Sequence, residues 1–207
     1  MEQPAGGREG PGTVEPVLVR LLGGDLRSTG EANAVAAEIL EEVLQDEPES
    51  QATGNLLFSD LVGGLLLADP LIRMRAADAI EKITRQAPFL LQPYKNLFLR
   101  EISAIQQKEV RWHTAVLLPR LELDNREQMC VIDILSGYME EENQRKKKSS
   151  LVCTFTLQGL AEMAMKYCGL KEQIVPLVEE YVQTGTPAMR ARGRKLLDRL
   201  EKTHLGI

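Results

Sequence analysis

Few residue types that could carry catalysis occur in this sequence. Nucleophilic catalysis by serine, cysteine or threonine needs a general base within hydrogen-bond reach, and the 207 residues include only two histidines, His113 and His204. His204 lies close to the last residue, where we do not expect a preorganised group. The thirty acidic residues leave carboxylate catalysis open, but no motif indicates it. We therefore predict that the chain has no catalytic residue and is not an enzyme.

Metal and phosphate ligands form no recognisable motif. The three cysteines, Cys130, Cys153 and Cys168, form no C-x-x-C pair, and no H-E-x-x-H motif occurs. Adjacent acids such as Glu41 and Glu42 diverge by about 100° on a helix, so they do not converge on one ion. The paired glycines lack the spacings that cradle phosphate. We predict no metal site and no cofactor.

The composition predicts a cytoplasmic protein without a membrane partner. Residues 1–13 lack the basic start and apolar run of a secretory signal, and we expect a disordered tail there. The most apolar stretch, Leu61–Ala68, has eight residues, whereas a membrane span needs about 20. An odd number of cysteines in a chain of this length indicates a reducing compartment.

A nine-residue pattern recurs along the chain. It reads aliphatic, usually arginine, two variable positions, two small residues, one variable position, small or apolar, then leucine or isoleucine. The clear copies are Ile72–Ile80, Val110–Leu118 and Met189–Leu197, and weaker copies begin at Ala32 and Val152. Successive copies begin 40, 38, 42 and 37 residues apart. A near-constant step of this size predicts stacked helical units.

Helical signals fill the intervals between the copies. Apolar residues recur three or four apart between Met129 and Met139, as on one face of a helix. Asp69-Pro70 and Thr186-Pro187 each place a capping side chain before a proline at the first helical position. No convincing period-two strand pattern is present. Each step therefore holds two helices, and the predicted fold class is all-α.

The pattern resembles the HEAT repeat of the HEAT/armadillo superfamily, whose second helix carries the signature aliphatic-Arg-x-x-Ala-Ala-x-Ala-Leu. The resemblance covers about residues 14–202. It implies a right-handed α-α superhelix (a HEAT-like solenoid) of about five antiparallel helix pairs, forming one domain over residues 14–207. The signature helices would line the concave side, near residues 31–45, 70–86, 107–121, 149–168 and 186–202.

The same resemblance implies a role for two signature residues. HEAT repeats often have an aspartate just before the second helix, as Asp69 stands here, and the signature arginine commonly bonds to it between repeats. Arg73 occupies that arginine position. The resemblance implies no reaction.

Charge is unevenly distributed along the chain. The signature segments of repeats two to five (70–86, 107–121, 145–168 and 186–202) hold 18 lysines and arginines against 6 acidic residues, and the remainder holds 7 against 24. If these helices line one face, that face is basic although the net charge is −5. A basic face attracts an acidic protein segment or a phosphate backbone. We interpret the run Arg145–Lys148 as a solvated loop.

The predicted partner contacts occupy variable or outward positions of the signature helices. They are Met74, Arg75, Trp112, His113, Arg192 and Lys195. For Arg192 and Lys195, the polar cap that a terminal repeat needs for solubility is an equal alternative interpretation. For Trp112, the only tryptophan, packing between repeats is the alternative interpretation, because aromatic side chains fill cores as well as interfaces.

These observations predict a non-catalytic protein-binding scaffold that presents a concave, locally basic surface to an acidic protein segment. The alternative is a nucleic-acid-binding or HEAT-like DNA-repair protein that uses the same groove. Base stacking depends on aromatic side chains, and only 4% of the residues are aromatic, which favours the protein partner. A third possibility is a structural subunit that is permanently buried in a larger complex.

Overall fold

The computed structural model describes residues 16–145 and 149–204. The predicted tail (1–13) and Lys146–Lys148 of the basic run lie outside these residues. All regular structure in the described ranges is helical, which confirms the all-α prediction. The α-helices are α1 (Pro16–Val19), α2 (Ala32–Leu44), α3 (Pro48–Gly64), α4 (Pro70–Thr84), α5 (Lys95–Leu97), α6 (Lys108–Leu117), α7 (Asn125–Gln144), α8 (Ser150–Lys166), α9 (Lys171–Thr184) and α10 (Pro187–His204).

The copies of the nine-residue pattern fall on alternate helices that contact one another in succession. α2 packs on α4, α4 on α6, α6 on α8, and α8 on α10. We call these five helices the central row. α3, α7 and α9 flank the row: α3 packs on α2 and α4, α7 on α8, and α9 on α8 and α10. The row brings residues from distant copies side by side.

The expected capping residues begin two helices of the row. The Asp69 carboxylate accepts hydrogen bonds from the backbone N–H groups of Leu71 (2.7 Å) and Ile72 (3.2 Å) at the start of α4. The Thr186 hydroxyl accepts from the backbone of Met189 (3.4 Å) at the start of α10. A good N-cap contributes about 1 kcal/mol, so these residues help to define where the helices begin.

Two units of the fold are less regular than the repeat pattern predicts. The first unit has only the four residues of α1 before its signature helix, and a loop occupies the rest. In the third unit, the part before the signature helix α6 begins with a 3₁₀ segment, Pro88–Tyr94, continues through α5, and ends in a π-helical turn, Phe98–Ile102. Pro93 lies inside this segment, where its missing N–H interrupts α-helical hydrogen bonding.

Small residues lie where neighbouring row helices approach most closely. Ala76, Ala77 and Ala115 are buried. A methyl group on Gly159 of α8 would collide with the carbonyl oxygen of Ala115 in α6. The small positions of the repeat therefore set the spacing of the row, because a larger side chain would push the helices apart.

The signature arginine does not bond to the preceding aspartate in this structure. Asp69 caps its own helix, and Arg73 Nε donates instead to Gln107 Oε1 (2.9 Å), just before α6. The amide nitrogen of Gln107 in turn donates to the carbonyl oxygen of Pro70 (2.7 Å). Arg73 thus still joins two consecutive units, through a glutamine in place of the expected aspartate.

Candidate binding face

Three side chains from consecutive row helices stack on one another. The rings of Trp112 in α6 and Phe155 in α8 lie 4.9 Å apart between centroids, with 28° between their planes. The guanidinium carbon of Arg192 in α10 lies 5.8 Å from the Phe155 centroid, within cation–π range. All three side chains are half-buried. We call this arrangement the stack, and it presents aromatic and cationic groups together on one face of the row.

Phe155 is the site residue that the sequence analysis missed. It occupies the fourth position of the weak copy that begins at Val152, the position that His113 and Arg192 occupy in their own copies. Aligning the weak copy with the clear ones would have placed Phe155 at the position of His113 and Arg192, next to the position of Trp112. The signal was in the sequence, but it lay in a copy without the arginine.

A cleft of about 320 Å³ opens next to Trp112. Its walls are the loop 26–29, α4, α6 and the start of α8. The apolar lining residues are Leu26, Met74, Trp112 and Leu151. Leu26 and Leu151 at the rim are 44% and 57% exposed. Exposed leucines around a concave site are typical of a binding surface.

His113 is not an outward contact as predicted, because its side chain is only 1% exposed. Its Nδ1 lies 2.6 Å from the carbonyl oxygen of Glu109. A carbonyl can only accept, so Nδ1 carries the proton. Its Nε2 lies 3.6 Å from a carboxylate oxygen of Asp78 and forms no hydrogen bond. The imidazole stacks on Trp112 at 3.3 Å between centroids, so His113 supports Trp112 from within.

Asp78 lines the cleft with a charged carboxylate. Burial raises its pKa, but the hydrogen bond and charge of Lys82 lower it, and the pKa of Asp78 lies below its usual value. Lys82 forms an ion pair with Asp78. The carboxylate of Asp78 is therefore paired inside the protein. Most of the surface exposed in the cleft is apolar, although polar side chains such as Ser28 and Ser149 also line it.

Arg75 is also buried, at 2% exposure, and the prediction that it faces outward is wrong. Its guanidinium donates to the carbonyl oxygens of Leu21 (2.7 Å), Leu22 (3.3 Å) and Ser28 (3.1 Å). These bonds hold the loop that forms one wall of the cleft. Met74, the preceding residue, is buried as well but lines the cleft.

Glycines allow this loop to fold back onto Arg75. Gly23, Gly24 and Gly30 have φ values of +83°, +79° and +53°, which side-chain-bearing residues rarely adopt. A Cβ atom on Gly30 would lie 2.6 Å from the Arg75 guanidinium carbon. The loop thus depends on glycine both for its backbone conformation and for its close approach to Arg75.

Part of the basic excess of the signature helices is compensated inside the protein. Intramolecular ion pairs join Lys82 to Asp78, Arg85 and Arg120 to Glu81, Arg111 to Glu141, Arg145 to Glu142, and Lys166 to Glu122. By contrast, Arg192 and Lys195 form no ion pair with a described residue, and the same holds for Arg190 and Arg194. Arg73 and Arg75 of α4 also form no ion pair with a described residue, but they donate to Gln107 and to loop carbonyls inside the protein. The cations of α10 are the larger unpaired group on the row.

Two further findings bear on the kind of site. Within residues 16–145 and 149–204, no three or more histidine, cysteine or acidic side chains are grouped so that they could hold a metal ion. None of the described helices combines the length and apolarity needed to cross a membrane.

Comparison of the chain with protein-family models, with curated proteins and with solved structures found no match. The resemblance to HEAT repeats therefore depends on the nine-residue pattern and stays a prediction. The class that the structure defines is an all-helical protein with a row of contacting helices and a stacked aromatic-cationic face.

Proposed function

We propose that the protein is a non-catalytic, protein-binding scaffold that binds an acidic protein segment along the central row. The stack is the observation that carries the proposal. It joins three consecutive row helices and places the cation of Arg192 over the half-buried ring of Phe155, which in turn stacks on Trp112. Aromatic residues and arginine are the residue types that dominate the energetics of protein interfaces.

The proposal includes a HEAT-like solenoid in which the row lines the concave side. The even spacing of the nine-residue copies and the successive contacts of the row helices support it. In a solenoid, each unit contacts only its neighbours and the inner helices form an extended binding surface. The superhelix and its right-handed twist are part of the proposal.

An acidic segment fits the charge of the face. Arg192 and Lys195 lie three residues apart, which places both on the same side of α10. Neither has an ion-pair partner among the described residues. A guanidinium that stacks on a ring keeps its N–H edge free to donate to a carboxylate. Partner carboxylates would complete the charge pairing that the protein leaves open at this end.

The nucleic-acid alternative is less well supported by the geometry. Single-stranded binders stack bases on aromatic side chains, and here the rings already have stacking partners. Trp112 stacks on both His113 and Phe155, and Arg192 lies over Phe155. A base would have to displace one of these groups.

Charge reversal on α10 tests the proposal with a matched control. The test variant is Arg192→Glu/Lys195→Glu, on the side of α10 that holds the stack. The control is Arg190→Glu/Arg194→Glu, which changes the net charge equally elsewhere on the same helix. The probes are an oligoglutamate peptide and a 20-nucleotide single strand, both titrated at low salt.

We expect the peptide to bind the wild type and the control alike, and to bind the test variant at least tenfold more weakly, because reversal adds repulsion to the lost pairing. Equal weakening in both variants would show a nonspecific charge effect and contradict the proposal. Tighter binding of the single strand than of the peptide would favour the nucleic-acid function.

A further inference from the structure

The cleft and the stack form one continuous surface. Trp112 lines the cleft and is the first ring of the stack. On α8, Leu151 at the cleft rim and Phe155 in the stack are four residues apart, and residues at this spacing share one face of a helix. A bound segment that contacts Arg192 would therefore continue past Phe155 towards the cleft.

The cleft is of a size and lining that suit one bulky apolar side chain. An apolar cavity of about 150 Å³ is large enough for benzene, and the cleft measures about 320 Å³. Its apolar lining comes from three row helices and the loop, and Leu26 and Leu151 are exposed at its rim. Burying an apolar side chain here would also cover these two leucines, which adds to the free energy of binding.

The wall of the cleft is held in place before anything binds. Arg75 donates hydrogen bonds to the loop carbonyls of Leu21 and Ser28. His113, buried behind Trp112, stacks on its ring. Preorganised walls reduce the entropy lost on binding, so the cleft needs no rearrangement to accept a side chain.

The charges at the two ends of the surface differ. In the cleft, Lys108 Nζ lies 3.6 Å from Glu109 Oε1, and Arg27 and Asp78 are paired with Asp25 and Lys82. At α10, Arg192 and Lys195 lack ion-pair partners among the described residues. A complementary ligand is therefore apolar at the cleft end and acidic at the α10 end.

The distances in the stack set the spacing of these two features. Trp112 and Phe155 lie 4.9 Å apart, and Phe155 and Arg192 lie 5.8 Å apart. The guanidinium is therefore at most about 11 Å from the Trp112 ring, which an extended chain spans in about three residues.

We propose that the cleft binds a bulky apolar side chain of a partner segment whose acidic residue lies about three positions away, bound in extended form with its carboxylate at Arg192. This inference rests on the proposed function, because it takes the acidic segment as the partner. It adds the cleft as a second contact point and predicts the spacing between the apolar and the acidic residue of the partner.

Labelled peptides test the inference by fluorescence anisotropy. The main probe is a peptide with one leucine and a pair of glutamates three positions later. Further probes replace the leucine with serine or change the spacing to one or seven positions. The protein variants are Leu151→Ser at the cleft rim and, as a control, Leu56→Ser on α3, since Leu56 is also exposed, at 64%.

We expect the leucine peptide with spacing three to bind the wild type about tenfold more tightly than its serine version and than either spacing variant. Leu151→Ser should weaken the binding of this peptide about fivefold, and Leu56→Ser should leave its affinity unchanged. All glutamate peptides should still lose affinity with Arg192→Glu/Lys195→Glu.

If the glutamate peptides bind at Arg192 but the leucine and its spacing add nothing, the inference is overturned and the proposed function stands. If none of the peptides binds, both are overturned.

Discussion

Two helices of the central row, α4 near one end and α10 at the other, use the same repeat position in opposite ways. At the α4 end, the fourth position of the pattern holds Arg75, which is buried and bonded to a loop. At the α10 end, the same position holds Arg192, which is half-buried and stacks on Phe155 without an ion pair to a described residue. Equivalent positions therefore differ in role because a loop covers one helix and leaves the other open.

The comparison predicts that substituting these two arginines changes the free energy of unfolding by very different amounts. Arg75→Met leaves the carbonyls of Leu21, Leu22 and Ser28 without donors, and we expect a loss of about 3 kcal/mol in the free energy of unfolding. Arg192→Met should cost less than about 0.5 kcal/mol. Urea denaturation measures both free energies. Equal losses would show that Arg75 and Arg192 contribute alike to the stability of the fold, which contradicts the contrast between α4 and α10.

A second contrast concerns the ion pairs that neutralise the α4 end. Burial raises the pKa of Glu81, but hydrogen bonds from Arg85 and Arg120 outweigh it, so the pKa lies below its usual value. A lowered pKa in the folded state means that Glu81 stabilises the fold fully above about pH 4.3 and progressively less as the pH falls below that value.

Glu81→Gln should therefore destabilise the protein by about 2 kcal/mol at pH 7, because Arg120 loses its buried partner. The difference from the wild type should shrink as the pH falls below about 4. Urea denaturation at pH 7 and pH 3.5 measures this, with exposed Glu41→Gln as the control. A difference that is the same at both pH values would rule out the ionised Glu81 as its source.

The open end gives a smaller effect that is specific to binding. Phe155→Ala breaks the stack between Trp112 and Arg192, and we expect the affinity for an oligoglutamate peptide to fall about fivefold, since an aromatic contact contributes about 1 kcal/mol. Phe89→Ala, at an exposed phenylalanine outside the row, is the control and should leave the affinity unchanged. If both variants bind alike, the stack does not contribute to the site.

The helix positions were predictable from the sequence, whereas the environments of the site residues were only partly so. Capping and spacing act locally, so Asp69-Pro70 was enough to predict where α4 begins. The burial of Arg75 depends on carbonyls about 50 residues earlier in the chain, and no local pattern shows that contact. Phe155 was predictable in principle but lay in a weak copy of the repeat.

The face itself can be monitored through Trp112, the only tryptophan in the sequence. Its emission reports on the stack without any label, while calorimetry of the same samples measures binding independently. The central claim, that an acidic segment binds along the stack, therefore has a direct test in an oligoglutamate titration followed by Trp112 fluorescence. We predict a saturable change in emission for the wild type and for Arg190→Glu/Arg194→Glu, and none for Arg192→Glu/Lys195→Glu. Calorimetric binding to the wild type without any change in Trp112 emission would contradict the claim.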